Sequence, residues 1–205
     1  MSGGRIVNRI LGKETLKTME LKTTYFEKPG KENTEEVLRI ARQRAEELGI
    51  KTIMVASTAG DTAVKAMDAL PGLKVIVVTH VAGMRSPNTQ QFTEESRKIV
   101  ESKGGIVLTT THLFSGLSRA MRTKYNTYII GDIVANTLRI LGQGMKVVCE
   151  IAVMAADGGL VRTDEDVIAI GGTGRGADTA VVLRPVNSND FFDLKIKEIL
   201  CKPHF

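Results

Sequence analysis

The sequence predicts an α/β fold, a three-layer α/β/α sandwich around a mainly parallel sheet. Three observations carry this. Thr52 to Thr79 reads as strand, polar turn, helix and strand, and a helix between two β-branched strands suits a right-handed crossover with both strands parallel and buried. The same alternation of short apolar runs and helical periods continues on either side. The hydrophobic share of the 205 residues is 42%, ordinary for one globular core. Residues 1–205 are therefore read as a single α/β domain, with an N-terminal arm (1–20) and a C-terminal tail (187–205).

In chain order, residues 1–20 are polar and basic with scattered aliphatics, which fits a short helix or an arm. Leu21 to Glu27 alternates as a strand does, and Lys28, Pro29 and Gly30 end it. Asn33 and Glu36 then have the spacing of a capping box, Val37, Ile40, Ala41, Ala45 and Leu48 form one helical stripe, and Gly49 stops it. In the central unit Ile53 to Ala56 is a strand and Ser57, Thr58, Ala59, Gly60, Asp61 and Thr62 the turn. Ala63, Val64, Ala66, Met67 and Leu70 recur at helical spacing, and Val75 to Val78 is the next strand. His80 to Gln91 has no periodicity and reads as a loop. Phe92 to Ser102 is a helix with Thr93 at its N-cap, and Ile106 to Leu108 a third buried strand that runs into Thr109, Thr110, Thr111 and His112.

Leu113 to Arg122 reads as a short helix capped by Ser115, and Tyr125 to Leu141 as a longer one with a broad apolar face suited to a sheet or a second subunit. Met145 to Ala155, apolar except for Lys146 and Glu150, is expected to be a central strand buried on both faces. Glu150 within it would lie at a sheet edge or pair with Arg139 or Lys146. The last third reads as strand (Val167 to Ile170), glycine-rich loop, strand (Thr179 to Leu183). A dinucleotide fingerprint needs a helix after its glycines, and none follows here. The tail, 187–205, is expected to dock as a helix or a strand.

Composition narrows the function classes. The formal charge is +5, but the basic residues interleave with acids along helices, the pattern of a solvated face rather than of a nucleic-acid surface. No apolar run approaches the ~18–20 residues of a membrane span, no signal peptide is visible, and the two cysteines form neither a metal motif nor a disulfide framework. The expected protein is cytoplasmic and reduced, a homo-oligomer, without nucleic-acid or membrane partners and without a bound metal.

The candidate site lies at the strand carboxyl ends, where open α/β sheets bind ligands. A turn of hydroxyls and free N–H groups at a helix N-terminus suits an anion such as phosphate. That makes Ser57 to Thr62 the first candidate element. Gly172, Thr173, Gly174, Arg175 and Gly176 form the second, a hairpin whose N–H groups and guanidinium fold over the same anion. Thr79, His80, Thr110, Thr111 and His112 are further candidate contacts at the rim. Asp157 is another, though an aspartate before two glycines is more often a turn former. Ser57 lacks the nucleophile elbow of a hydrolase.

These two loops carry a resemblance. Ser57, Gly60, Thr62 and Ala63, a helix, then Val78 and Thr79, and later the strand, Thr-Gly loop and strand of Asp166 to Val186, resemble the C-terminal α/β domain of pyruvate kinase. The likeness holds over about residues 50–80 and 145–186. In many pyruvate kinases these loops hold a sugar bisphosphate effector. The chain departs from the pattern at Ala59, where a hydroxyl is common, and at Asp61, whose charge suits a sugar or ribityl hydroxyl better than a phosphate. The sequence is also similar to small archaeal stand-alone proteins of this class, and that similarity implies flavin mononucleotide (FMN) as cofactor. The implied function is binding of a phosphorylated small molecule, FMN foremost, with flavin-dependent oxidoreduction or carriage as its use. The alternative is a non-catalytic sensor of a sugar phosphate or nucleotide. The barrel that performs pyruvate kinase catalysis is missing from these residues.

Overall fold

The structure, a computed structural model, describes residues 5–11 and 14–205, with side chains from Thr18 onward. The chain runs β1 (Arg5–Leu11), β2 (Glu14–Glu20), β3 (Thr24–Phe26), α1 (Thr34–Leu48), β4 (Thr52–Ala56), α2 (Asp61–Ala69), β5 (Lys74–Val78), α3 (Glu94–Ser102) and β6 (Ile106–Leu108). It continues through α4 (Gly116–Tyr125), α5 (Ile130–Arg139), α6 (Gln143–Asp157), β7 (Val167–Gly171), β8 (Thr179–Arg184) and β9 (Lys195–Pro203). Strands β1 and β2 pair antiparallel as a separate two-stranded sheet, so residues 5–11 and 14–20 are strands and not the short helix that was one of the two expectations.

The main sheet has the order β3-β9-β8-β7-β4-β5-β6. Its β3–β9, β4–β5, β4–β7 and β5–β6 pairs are parallel and only the two pairs made by β8 are antiparallel, so one strand runs against the other six. Alternate residues of each strand feed two separate cores, as a strand's period of two requires. Ile53, Val55, Val75, Val77, Ile168 and Ile170 pack with Val37, Ala41, Ala63 and Ala66 of α1 and α2 on one face. Met54, Ile76, Val78, Val167 and Ala169 pack with Met145, Val148, Cys149 and Ala152 of α6 on the other. Helix layers on both faces of a mainly parallel sheet make the three-layer α/β sandwich that the alternation of elements predicts.

The largest departure is Met145 to Ala155, which is the middle of helix α6 and not a strand. Of its residues, Met145, Cys149 and Ala152 meet the sheet, and nearly all the rest are buried too. A helix covered all round has no polar stripe, so its run of apolar residues carries no period. Lys146 and Glu150, four apart, meet on one side of it.

Smaller corrections follow from side-chain partners. The Asn33 amide donates to the Lys28 (2.8 Å) and Gly30 carbonyls and Glu36 binds Arg39, so no capping box forms at α1. Ser115 makes no cap bond either. Thr93 does cap α3, accepting from Ser96 N–H at 3.1 Å. The helix expected from Tyr125 starts at Ile130, because α4 ends in Asn126 at φ 49° and Asp132 turns back to accept from the Ile129 N–H at 3.1 Å. The Leu21–Glu27 strand is only Thr24–Phe26, and the tail supplies β9. No helix among the described residues is long and apolar enough to cross a membrane.

Candidate functional site

The carboxyl ends of β4, β5 and β6 and the loop after β7 open on one rim, and a cavity of about 580 Å³ lies there. Ser57, Thr58, Ala59, Asp61 and Thr62 line it from the start of α2, and Gly172, Gly174, Arg175 and Gly176 from the hairpin between β7 and β8. Thr79, His80 and His112 line it from the ends of β5 and β6. Gly60, Thr173, Thr110, Thr111 and Asp157 are not on its wall. Asp157 ends α6, where its carboxylate accepts from Ser188 N–H (2.9 Å) and the Asn187 amide (3.2 Å) and fastens the tail.

The turn before α2 is shaped by backbone needs. Gly60 sits at φ 120°, and a Cβ there would come within 2.2 Å of the Ser96 Cβ, so only glycine fits against α3. Ser57 is buried; its hydroxyl oxygen accepts from the Ala63 N–H at 3.3 Å, and its own N–H reaches the Val78 carbonyl at 3.0 Å, locking the turn to β5. Among the described residues the N–H groups of Asp61 and Thr62 meet no protein acceptor, so the helix start presents donors and a positive dipole end to the cavity.

Sequence reasoning passed over the anchor of the glycine hairpin. Asp178 is fully buried, and its carboxylate accepts from Gly30 N–H (3.1 Å), Thr173 N–H (3.0 Å) and the Thr179 hydroxyl (2.8 Å). Thr34 adds a second tie, its hydroxyl oxygen accepting from Ala177 N–H at 3.0 Å while donating to the Lys31 carbonyl. The loop is thus held at its base and free at its crest, where Gly174 and Arg175 are exposed.

The opposite wall is basic, with Arg119 and Arg122 from α4, Arg139 from α5, Lys146 from α6 and Arg85 from the loop after β5. Two of these charges are cancelled by buried carboxylates, Arg122 by Asp132 and Lys146 by Glu150. Glu150 also accepts from Phe114 N–H at 3.0 Å and faces His112 Nδ1 at 3.4 Å. Burial pushes the Glu150 carboxyl up, but the His112 hydrogen bond and the Lys146 charge outweigh it and hold the group at about 2. Burial pulls the Lys146 ammonium down, with Glu150 opposing. His112 Nε2 accepts from Val81 N–H at 3.3 Å, which leaves the ring proton on Nδ1 toward Glu150. His80 gives its Nδ1 proton to Gln91 Oε1 at 2.9 Å, and burial, opposed by that hydrogen bond, keeps its pKa below the ordinary value. The Arg119/Arg122 pair at helical spacing and the Lys146/Glu150 pair inside an apolar run were the available sequence signals for this wall. Among the described residues no cluster of histidine, cysteine, aspartate and glutamate is arranged to hold a metal.

A family model described as the pyruvate kinase alpha/beta domain matches residues 35–183. The chain belongs to this family. The matched span runs from α1 to β8 and so includes both loops of the cavity. Among solved structures, a pyruvate kinase from Cryptosporidium parvum is similar at 13% identity and a TM-score of 0.39, over 75% of this chain and 23% of that one. Cryptosporidium parvum pyruvate kinase in complex with ADP is similar at 12% identity and a TM-score of 0.37, over 83% of this chain and 24% of the other. The chain thus spans under a quarter of those enzymes, and its 205 residues carry this pyruvate kinase domain, not a full pyruvate kinase.

Proposed function

We propose that the chain binds a phosphorylated small molecule in the cavity at the strand carboxyl ends. One observation carries this reading: the helix-start turn of α2 and the glycine hairpin with Arg175 line the same cavity, with unpaired N–H donors at the helix start. A phosphate there meets the α2 dipole and the Arg175 guanidinium together. Asp61 faces the same space and suits a ribityl or sugar hydroxyl.

Among phosphorylated ligands we propose FMN, the ligand that the family resemblance implies. Val147, Ile151 and Met154 of α6 form an apolar part of the wall, a surface suited to a flavin ring. Flavin-dependent electron transfer is the activity this would serve. A non-catalytic sensor of a sugar phosphate or nucleotide is the second reading, favoured by the excess of arginine around the cavity. A homo-oligomer is also proposed, supported by Ile130 and Ile133 of α5 and Ile140 just after it, exposed at 67%, 58% and 78%.

An absorbance spectrum of the purified protein, with mass spectrometry of what heat releases, separates the two readings. A stoichiometric flavin that is lost in Arg175→Ala supports the first. A colourless protein that releases a sugar phosphate or a nucleotide supports the second. Equal retention of ligand by Arg175→Ala and the parent refutes the assigned site.

A further inference from the structure

Of the two histidines on the cavity wall, His80 alone has a ring nitrogen left over. His112 is engaged at both, Nδ1 with Glu150 at 3.4 Å and Nε2 accepting from Val81 N–H at 3.3 Å, so no proton reaches its Nε2 without breaking the Val81 bond. His80 uses only Nδ1, which donates to Gln91 Oε1 at 2.9 Å. Its Nε2 meets no donor among the described residues, and a neutral imidazole whose proton is held on Nδ1 keeps a lone pair there. The ring also has a fixed seat, since the His80 carbonyl accepts from the Thr79 hydroxyl and the Gln90 amide, both at 2.9 Å.

Position gives that lone pair its meaning. Strands β4 and β5 are neighbours, and Ser57 N–H reaches the Val78 carbonyl at 3.0 Å. His80, two residues past Val78, therefore stands at the strand end beside the α2 turn, and both line the cavity. The charges facing it are mostly positive. His112 meets the ring edge-on, with centroids 5.3 Å apart. On α6 Lys146 and Glu150 cancel each other, and Arg122 of α4 is cancelled by Asp132. Arg85, Arg119, Arg139 and Arg175 have no carboxylate partner among the described residues, and Asp61 is the one wall carboxylate there without a cation. Burial keeps the His80 pKa below 6.5 with the Gln91 hydrogen bond opposing; His112 and Arg85 lower it further and Glu150 raises it, each by less. The empty cavity thus holds a neutral ring at pH 7, and an oxyanion brought beside it favours the imidazolium instead.

We infer that an anion entering this cavity draws a proton onto His80 Nε2, so that ligand and proton bind together. The inference rests on the proposed phosphate site and adds its regulation by pH. The new Nε2–H becomes a charged donor on the cavity wall. A group whose pKa the ligand raises takes up a proton at every pH between its free and bound values, and by reciprocity the proton tightens the ligand. Affinity therefore rises as pH falls through the bound-state value of His80 and levels off below the free one.

The test uses the full chain, freed of any co-purified ligand, with sulfate as the probe. Sulfate stays a dianion throughout, whereas a phosphate monoester changes charge at about pH 6. The ring protons of the three histidines are followed by NMR against pH, in sulfate and in sodium chloride of equal ionic strength. The His80 signal is identified by its absence from His80→Asn, or from His80→Gln should the first not fold. Its pKa is expected to rise in sulfate by about one unit or more, which corresponds to at least about tenfold tighter binding by the protonated protein. Calorimetric titration of the parent should show sulfate affinity rising by up to about tenfold per pH unit on acidification from about pH 8 to about pH 6, and the histidine variant should show no such slope. Sulfate binding that leaves the His80 pKa unchanged, or a slope that survives in the variant, overturns the inference and leaves the phosphate site standing. Absence of sulfate binding across this range overturns the phosphate site and the inference with it.

Discussion

Replacing Glu150 by glutamine should destabilise the protein more than any other single-atom change in the cavity wall. The side chain is 96% buried and receives Lys146, Phe114 N–H and the proton of His112 Nδ1. Glutamine keeps the shape and an acceptor for Phe114 N–H, so the loss isolates the charge. It strands the Lys146 ammonium, itself only 7% exposed, without a counter-ion. Removing one partner of a buried pair costs about 3–5 kcal/mol, which in a chain of this size lowers the melting temperature by roughly 6–20 °C. Thermal unfolding followed by far-ultraviolet circular dichroism reads this, tryptophan being absent from the sequence. Adding Lys146→Met should recover most of the loss, because the stranded charge is gone. The pH dependence has a definite sign. A carboxyl held at about 2, against an ordinary 4.5, contributes stability that is complete above about pH 4.5 and lost as pH falls toward 2. The gap between parent and Glu150→Gln should therefore close on acidification below pH 4.5. A melting temperature within about 2 °C of the parent at pH 7, or no recovery in the double variant, would refute the reasoning, since a buried pair cannot be broken for less than about 1 kcal/mol under it.

Other outcomes follow from the same geometry. Gly60→Ala should be destabilised, and Ser96→Gly in the same chain should restore part of the loss by removing the colliding side chain; equal melting of the single and double variants would contradict the contact. Asp178→Ala leaves the buried Thr179 hydroxyl and the part-buried Gly30 and Thr173 N–H groups without their acceptor and should cost about 1–3 kcal/mol in urea unfolding, with faster hydrogen exchange at Gly30 and Thr173; an unchanged exchange rate at both would count against its role as hairpin anchor. His80, whose pKa burial lowers from 6.5, favours the fold above about pH 6.5 and loses that contribution as pH falls through its folded value. His80→Asn should flatten the fall in melting temperature between pH 7 and 5, and an equally steep fall would remove His80 as its source.

Much of the fold was legible because local physics writes it locally. Strands β4, β5 and β7 and helices α1, α2 and α3 announce themselves through β-branched runs, helical periods, Gly49 and the Thr93 cap. The turn at Ser57 to Thr62 and the glycine hairpin could be read for the same reason, since glycines and hydroxyls at strand ends serve backbone geometry that the chain specifies residue by residue. Helix α6 could not: buried on every side, it has no polar stripe to show a period, and the same letters suit a strand. The basic wall stayed hidden for a different reason. Arg119, Arg139 and Lys146 lie on three helices, and which of their charges is cancelled depends on partners such as Asp132 and Glu150. Asp178, far in sequence from Gly30, was equally unreadable. The sequence by itself determined the α/β alternation and the two anion-suited loops, because these rest on contacts between near neighbours. Only the tertiary structure decided that the loops share a cavity with four uncompensated arginines, because long-range packing alone sets which charges meet.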